Sequence, residues 1–138
     1  MGEVLEHFGE AGSFLKSSGD VYLKVNAVDL KNYSSTDPEV IREMILYFKN
    51  SGVGNIYVIE NCTQNNFTRL AFKATGIEKV FRETGAIPVY LDETSVSHIY
   101  LESMQSSIDI SSFVYERLVA DREKNLYIYP FRSSKPIP

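Results

Sequence analysis

At 138 residues, 43% of them hydrophobic and 12% aromatic, the chain has material for one well-buried core, so it is read as a single domain over 1–138. Fourteen basic against eighteen acidic residues leave a net charge of −4 without any basic run, which argues against a nucleic-acid partner. The single cysteine, Cys62, leaves no internal disulfide and no thiolate set for zinc or an iron–sulfur cluster, so no cofactor is expected within this chain and a cytoplasmic location is. No apolar run reaches membrane-spanning length and the N-terminus lacks a signal-like core, so no membrane partner is expected.

Val4, Phe8, Ala11 and Leu15 recur at helical spacing and predict a helix over 3–16, weakened by Gly9 and Gly12. Val21-Tyr22-Leu23-Lys24-Val25 is a β-rich run that predicts a first strand ending at Asn26. Thr36-Asp37-Pro38-Glu39 predicts a helix start, with Asp37 as cap and Pro38 in the first turn. Ile41, Met44, Ile45 and Phe48 then form an apolar stripe that needs a sheet to bury it, and Asn50-Ser51-Gly52 stops the helix.

Asn55 to Ile59 predicts a second strand, completing the strand–helix–strand unit that allows parallel pairing. Phe67, Leu70, Ala71 and Ala74 mark one short helix; Ile77, Val80 and Phe81 mark another, with Gly76 between them and Gly85 after. Ala86 to Leu91 predicts a third strand, which Pro88 pushes to an edge because proline cannot donate to a ladder. Residues 95–103 alternate, with Ile99 and Leu101 on one side and His98, Tyr100 and Glu102 on the other, as in a half-exposed strand. Ser111 or Ser112 can cap a helix carrying Phe113, Val114, Leu118 and Val119, and Leu126 to Tyr129 predicts a last strand beside the first.

These elements predict an α/β fold with three layers: a mainly parallel open sheet of Rossmann-like order 3-2-1-4 with helices on both faces. A reversal between strands one and four leaves a crevice beyond the strand C-termini, and the site is expected there. The tail from Phe131 ends without a capping element, as in a fragment of a longer protein.

Lys24 and Asn26 alternate with Val25 at the end of strand one. A lysine in an apolar strand is costly unless its ammonium finds an anion or reaches solvent, so Lys24 reads either as an anion grip with Asn26 orienting the ligand, or as a snorkelling lysine beside a turn-forming asparagine. Thr36 could add a hydroxyl to the exposed N–H groups of the next helix, although Asp37 as cap would occupy them. Glu60 and Asn61 end strand two, and Asp92 and Glu93 end strand three, placing carboxylates along one rim where a hard cation could bind or where a solvated loop would simply run. Cys62 could act as a nucleophile with His98 as base, or be an ordinary buried cysteine. Tyr127 and Tyr129 with Arg132 are explained by strand alternation rather than by base stacking.

The succession Tyr22-Leu23-Lys24-Val25-Asn26, Thr36-Asp37-Pro38-Glu39-Val40, Ser51-Gly52-Val53-Gly54-Asn55-Ile56-Tyr57-Val58, Thr75-Gly76-Ile77 and Gly85-Ala86 gives the segment Gly19 to Leu91 a family likeness. It resembles the family catalogued as domain of unknown function 362. Some members carry a ferredoxin-like iron–sulfur segment downstream, so the resemblance implies a redox or metal context for part of the family. The Pro-Lys-Leu-Lys-Thr-His-like stretch found later in that family is not matched by Pro130-Phe131-Arg132-Ser133-Ser134-Lys135. A fainter similarity is to the first domain of nickel-dependent lactate racemases, whose Asp-x-Thr-Arg-Pro turn is replaced by Asn26-Ala27-Val28-Asp29-Leu30.

Two functions remain in view. One is a domain that binds a small anionic ligand or metal-bound group at the C-terminal rim through Lys24, Asn26, Thr36, Glu60 and Asn61. The other is a non-catalytic interaction or redox-partner module serving an iron–sulfur segment outside this chain. Whether the protein is an enzyme, and its oligomeric state, are left open by the sequence.

Overall fold

The computed structural model describes residues 19–31, 34–62, 67–117 and 126–128. The helix expected over 3–16, the positions Leu118, Val119 and Tyr129, and the tail lie outside the described residues.

Strand β1 (Val21–Lys24) is formed by a short apolar run whose first three side chains are all buried. Helix α1 (Pro38–Asn50) starts where the Asp37 side chain accepts a hydrogen bond from the Glu39 N–H at 2.8 Å, with Pro38 in the first turn. Its stripe of Ile41, Ile45 and Phe48 is buried against the sheet, with Met44 partly so. Strand β2 (Ile56–Glu60) returns parallel to β1, placing Val21 opposite Ile56 and Lys24 opposite Ile59.

Helices α2 (Thr68–Ala74) and α3 (Ile77–Thr84) then carry the chain to β3 (Ile87–Tyr90), which pairs in parallel with β2. Gly76 joins the two helices at φ 81, a left-handed conformation that a side chain would strain, and this lets α3 leave at an angle to α2. The Lys49 ammonium donates to the Thr84 carbonyl and so closes the C-terminus of α3 from α1. Pro88, lacking an N–H, sits in β3, whose ladder is to β2 alone among the described strands.

One face of this parallel sheet carries all three helices. Their cluster centres on Phe72, wholly buried and edge-on to Phe81 with ring centroids 5.3 Å apart, and on Leu23, Val58, Ile41 and Ile77. The other face is aromatic: Tyr22 and Tyr57, opposite each other in register, stack at 4.9 Å and 8°. Phe113, from the short helix α4 (Ser112–Tyr115), meets both rings edge-on, and Arg117 lies 3.9 Å above its ring.

The expected fold, a single Rossmann-like sheet of order 3-2-1-4 with helices on both faces, is overturned on two points: the chain builds two sheets, and α1, α2 and α3 all lie on one face. The strands divide between two separate sheets. β1, β2 and β3 form the buried parallel sheet, and the short run Leu126–Ile128 (β6) lies in parallel along the other side of β1. The half-exposed strand expected within 95–103 is present as β4 (Val96–Leu101), and it pairs with β5 (Ser106–Ser111), which the sequence does not predict, in an antiparallel hairpin.

The reason is local. Gln105 takes the left-handed φ of 48 that a tight turn demands, without the glycine that would have announced it. Ile108 and Ile110 then pair with Ile99 and Ser97, giving both arms one shared apolar face. Both strand–helix–strand crossovers step the same way across the sheet, so their helices fall on the same face, and among the described residues the opposite face receives only α4.

Packing of this kind predicts unequal sensitivity. Phe72→Ala should cost about 4 kcal/mol in urea unfolding, through lost burial and the cavity left behind. Ile99→Ala in the hairpin, whose side chain is only partly covered, should cost about 1 kcal/mol or less.

Candidate functional site

β1, β2 and the start of α2 bring their ends together at the C-terminal rim. The group that organises this rim is the carboxylate of Glu60, which is only 3% exposed. Its Oε1 accepts from Lys24 Nζ at 2.6 Å and from the Asn61 N–H at 2.7 Å, and its Oε2 accepts from the Ala27 N–H at 2.9 Å. A buried carboxylate is tolerable only with such partners, because an unpaired one costs several kcal/mol. Lys24 gives a second bond to the Val25 carbonyl at 2.7 Å.

A second knot lies one residue along. The Asn26 N–H donates to Thr36 Oγ1 at 2.9 Å, the Thr36 N–H returns a bond to the Asn26 carbonyl at 2.7 Å, and Asn26 Nδ2 donates to the Ser34 carbonyl at 3.0 Å. Together with the bridge between Ala27 and Ser35, these bonds close the loop from β1 to α1 upon itself.

The five residues singled out in the sequence are therefore gathered at one rim, in two adjoining knots. Lys24, Glu60 and Asn61 share the first, Asn26 and Thr36 the second. Lys24 faces a carboxylate already, the Thr36 hydroxyl serves Asn26 rather than the N-terminus of α1, the Asn26 side chain is given to Ser34, and Asn61 takes part through its backbone N–H.

The other rim acids have partners too, although Asp92 Oδ1 is buried without one among the described residues. Asp92 Oδ2 accepts from the Thr68 N–H at 3.1 Å, capping α2 from outside, because the preceding Phe67 has no side chain able to do so. Glu93 is gripped by Arg69 through Nε at 2.9 Å and Nη2 at 2.7 Å, and this guanidinium holds its carboxyl below the ordinary value. Arg69 also lies 4.0 Å over the Tyr90 ring, whose phenol is raised by burial. No group of three metal-ligating side chains occurs among the described residues.

Cys62 is buried and donates its S–H to the Val28 carbonyl at 3.0 Å, while its own N–H goes to Thr68 Oγ1 at 2.8 Å. His98, considered as its base, pairs instead with Asp109 across the hairpin.

Beside the Glu60 knot opens a cleft of about 150 Å³, lined by Asp29, Leu30, Cys62, Phe67 and Leu70. Leu30 and Phe67 are each 49% exposed and Leu70 is 45% exposed, an unusual cluster of large apolar side chains at a strand-end rim. Asp29 Oδ1 is fixed by the Lys31 N–H and the Ser34 hydroxyl. Those bonds, the hydroxyl's foremost, hold its carboxyl below the ordinary value. Apart from Cys62, sequence reading missed these lining residues. The usable signals were a lone leucine in the otherwise polar stretch after Asp29, and Phe67 with Leu70 one turn apart at a helix start.

A parallel sheet with α1, α2 and α3 on one face, a separate antiparallel hairpin and a rim cleft define an α/β domain. The model of the family described as Domain of unknown function (DUF362) matches residues 21–119, well over half of the chain, and the protein belongs to that family. The match runs past Leu91, where the likeness read from the sequence ended, and gives no specific relation to nickel-dependent lactate racemases. Comparison with curated proteins and with solved structures finds no match.

Removing one partner of the Glu60 knot should be costly. Lys24→Met leaves a buried carboxylate with two amide donors and no cation, an expected loss of about 3 kcal/mol in urea unfolding. Adding Glu60→Gln, which removes the buried charge and keeps an oxygen for one of the two amides, should recover about 1 kcal/mol of that.

Proposed function

We propose that this is a small-molecule-binding α/β domain whose site is the rim cleft, with the Glu60 knot fixing the loop that carries Asp29 and Leu30 into its lining. The observation that carries this reading is the exposure of Leu30, Phe67 and Leu70 around a concave space at the strand C-termini. Such side chains bury favourably only when something fills the space between them, and open parallel sheets hold their ligands at this end.

An anion held by Lys24, Asn26 and Thr36 is supported less well. It would have to displace Glu60 from Lys24, leaving that carboxylate buried and its amides reorganised. Lys24, Asn26, Thr36, Glu60 and Asn61 are better read as the scaffold that fixes the loop carrying Asp29 and Leu30.

Binding of benzyl alcohol at millimolar concentration, followed by amide NMR, should shift Leu30, Cys62 and Leu70 and leave β4 and β5 in place. Leu70→Asp should abolish those shifts without changing the unfolding midpoint by more than a few degrees. Shifts spread over the surface, or confined to the hairpin, would remove the cleft as the site.

A second reading, the interaction module, is favoured by the hairpin. Val96, Tyr100, Met104 and Ile108 are exposed on it, and aromatic and methionine side chains are enriched where proteins meet. Titration with a reduced ferredoxin should then broaden the resonances of Tyr100 and Ile108; an unchanged spectrum at equimolar partner counts against it.

A further inference from the structure

Charge within the cleft narrows the ligand. Of the five described lining residues, Asp29 alone carries a charge, and the one donor among their side chains, the Cys62 S–H, is given to the Val28 carbonyl. Asp29 Oδ1 is used by Lys31 and Ser34, while among the described residues Oδ2 has no hydrogen-bond partner. Lys24 is committed to Glu60 and to the Val25 carbonyl, and Lys31, whose charge also acts on Asp29, is not among the lining residues. Among the described lining residues, an anion entering here meets a carboxylate and no donor aimed at it.

Size narrows it further. A space of about 150 Å³ walled by leucine and phenylalanine is the size that accepts a single benzene ring. The Phe67 ring adds a face on which a cation is favoured.

Resting on the rim cleft as the binding site, we propose that it selects a small organic cation: an ammonium or amidinium group on an apolar body about one ring in size, paired with Asp29. The apolar body fills the space between Leu30, Phe67 and Leu70, and the charged head reaches Oδ2 at the mouth. The Ser34 and Lys31 bonds hold the carboxylate oriented and ionised before the ligand arrives, so little ordering is left to binding. The overall charge of −4 favours approach of a cation and disfavours an anion.

The test uses three ligands of one shape on the whole chain: benzylammonium, benzyl alcohol and benzoate, titrated by amide NMR. Benzylammonium should bind about fivefold to tenfold tighter than benzyl alcohol, and benzoate more weakly than either, all with shifts at Asp29, Leu30 and Leu70. Asp29→Asn, which keeps Oδ1 for the loop bonds, should bring benzylammonium down to the level of the alcohol. The preference should hold from about pH 7 to about pH 5, because Asp29 ionises below the ordinary carboxylate range. It should also shrink as salt is raised. Benzoate or the alcohol binding as tightly as benzylammonium, or Asp29→Asn keeping the preference, overturns the cation assignment and leaves the cleft standing. No binding by any of the three removes the cleft itself.

Discussion

The carboxylate of Glu60 is the constraint on which the rim depends. It terminates a strand that is otherwise apolar, and it is almost wholly removed from water. Water's role is taken over by three donors: the Lys24 ammonium and the amides of Ala27 and Asn61. The two amides come from different strand exits, so satisfying one carboxylate fixes how the chain leaves both β1 and β2. Packing alone would hold the strands together; it would not specify where the loop after β1 goes, because that loop is polar and could be solvated in many ways.

From that point the rest of the rim follows by short links. Ala27 held at Glu60 brings Asn26 into its reciprocal pairing with Thr36, and this sets the entry to α1. Val28 comes within reach of the Cys62 thiol, and Asp29 folds its own turn over Lys31 and Ser34. The third strand joins through Asp92, which supplies the cap that Phe67 cannot. Each of these acids is spent on backbone N–H groups or on a cation. Among the described residues two of them keep an unpartnered oxygen: Asp92, whose Oδ1 is buried, and Asp29, whose Oδ2 lies beside three apolar side chains.

How much of this the sequence announced depends on the kind of signal. β1, α1, β2, α2, α3 and β3 were legible because burial imposes a period on apolar residues, and because Asp37-Pro38, Gly76 and Gly85 mark boundaries for steric reasons. The hairpin was not legible: its turn has Gln105 where glycine would have been the cue, and the serines of β5 mask the alternation of Ile108 and Ile110. That missed pairing hid the second sheet. The importance of Lys24, Asn26, Thr36, Glu60 and Asn61 could be read from their position at strand ends. Which of them would bond to one another could not, since the Lys24–Glu60 contact joins residues 36 apart. Leu30, Phe67 and Leu70 were not read as a site because apolar residues at helical spacing read first as a buried face, and Phe67 and Leu70 are exposed instead.

Membership of the DUF362 family establishes the kinship of the chain and leaves its chemistry to the rim. The central claim is that the buried Glu60 carboxylate ties the exits of β1 and β2 together. Hydrogen exchange at the Ala27 amide tests it most directly, because that N–H lies outside the strand ladders and is protected only through Glu60 Oε2. The account predicts exchange as slow as for amides within β1, accelerated strongly by Glu60→Ala. Exchange of the Ala27 amide as fast as that of an open loop, or protection unchanged by Glu60→Ala, would contradict it.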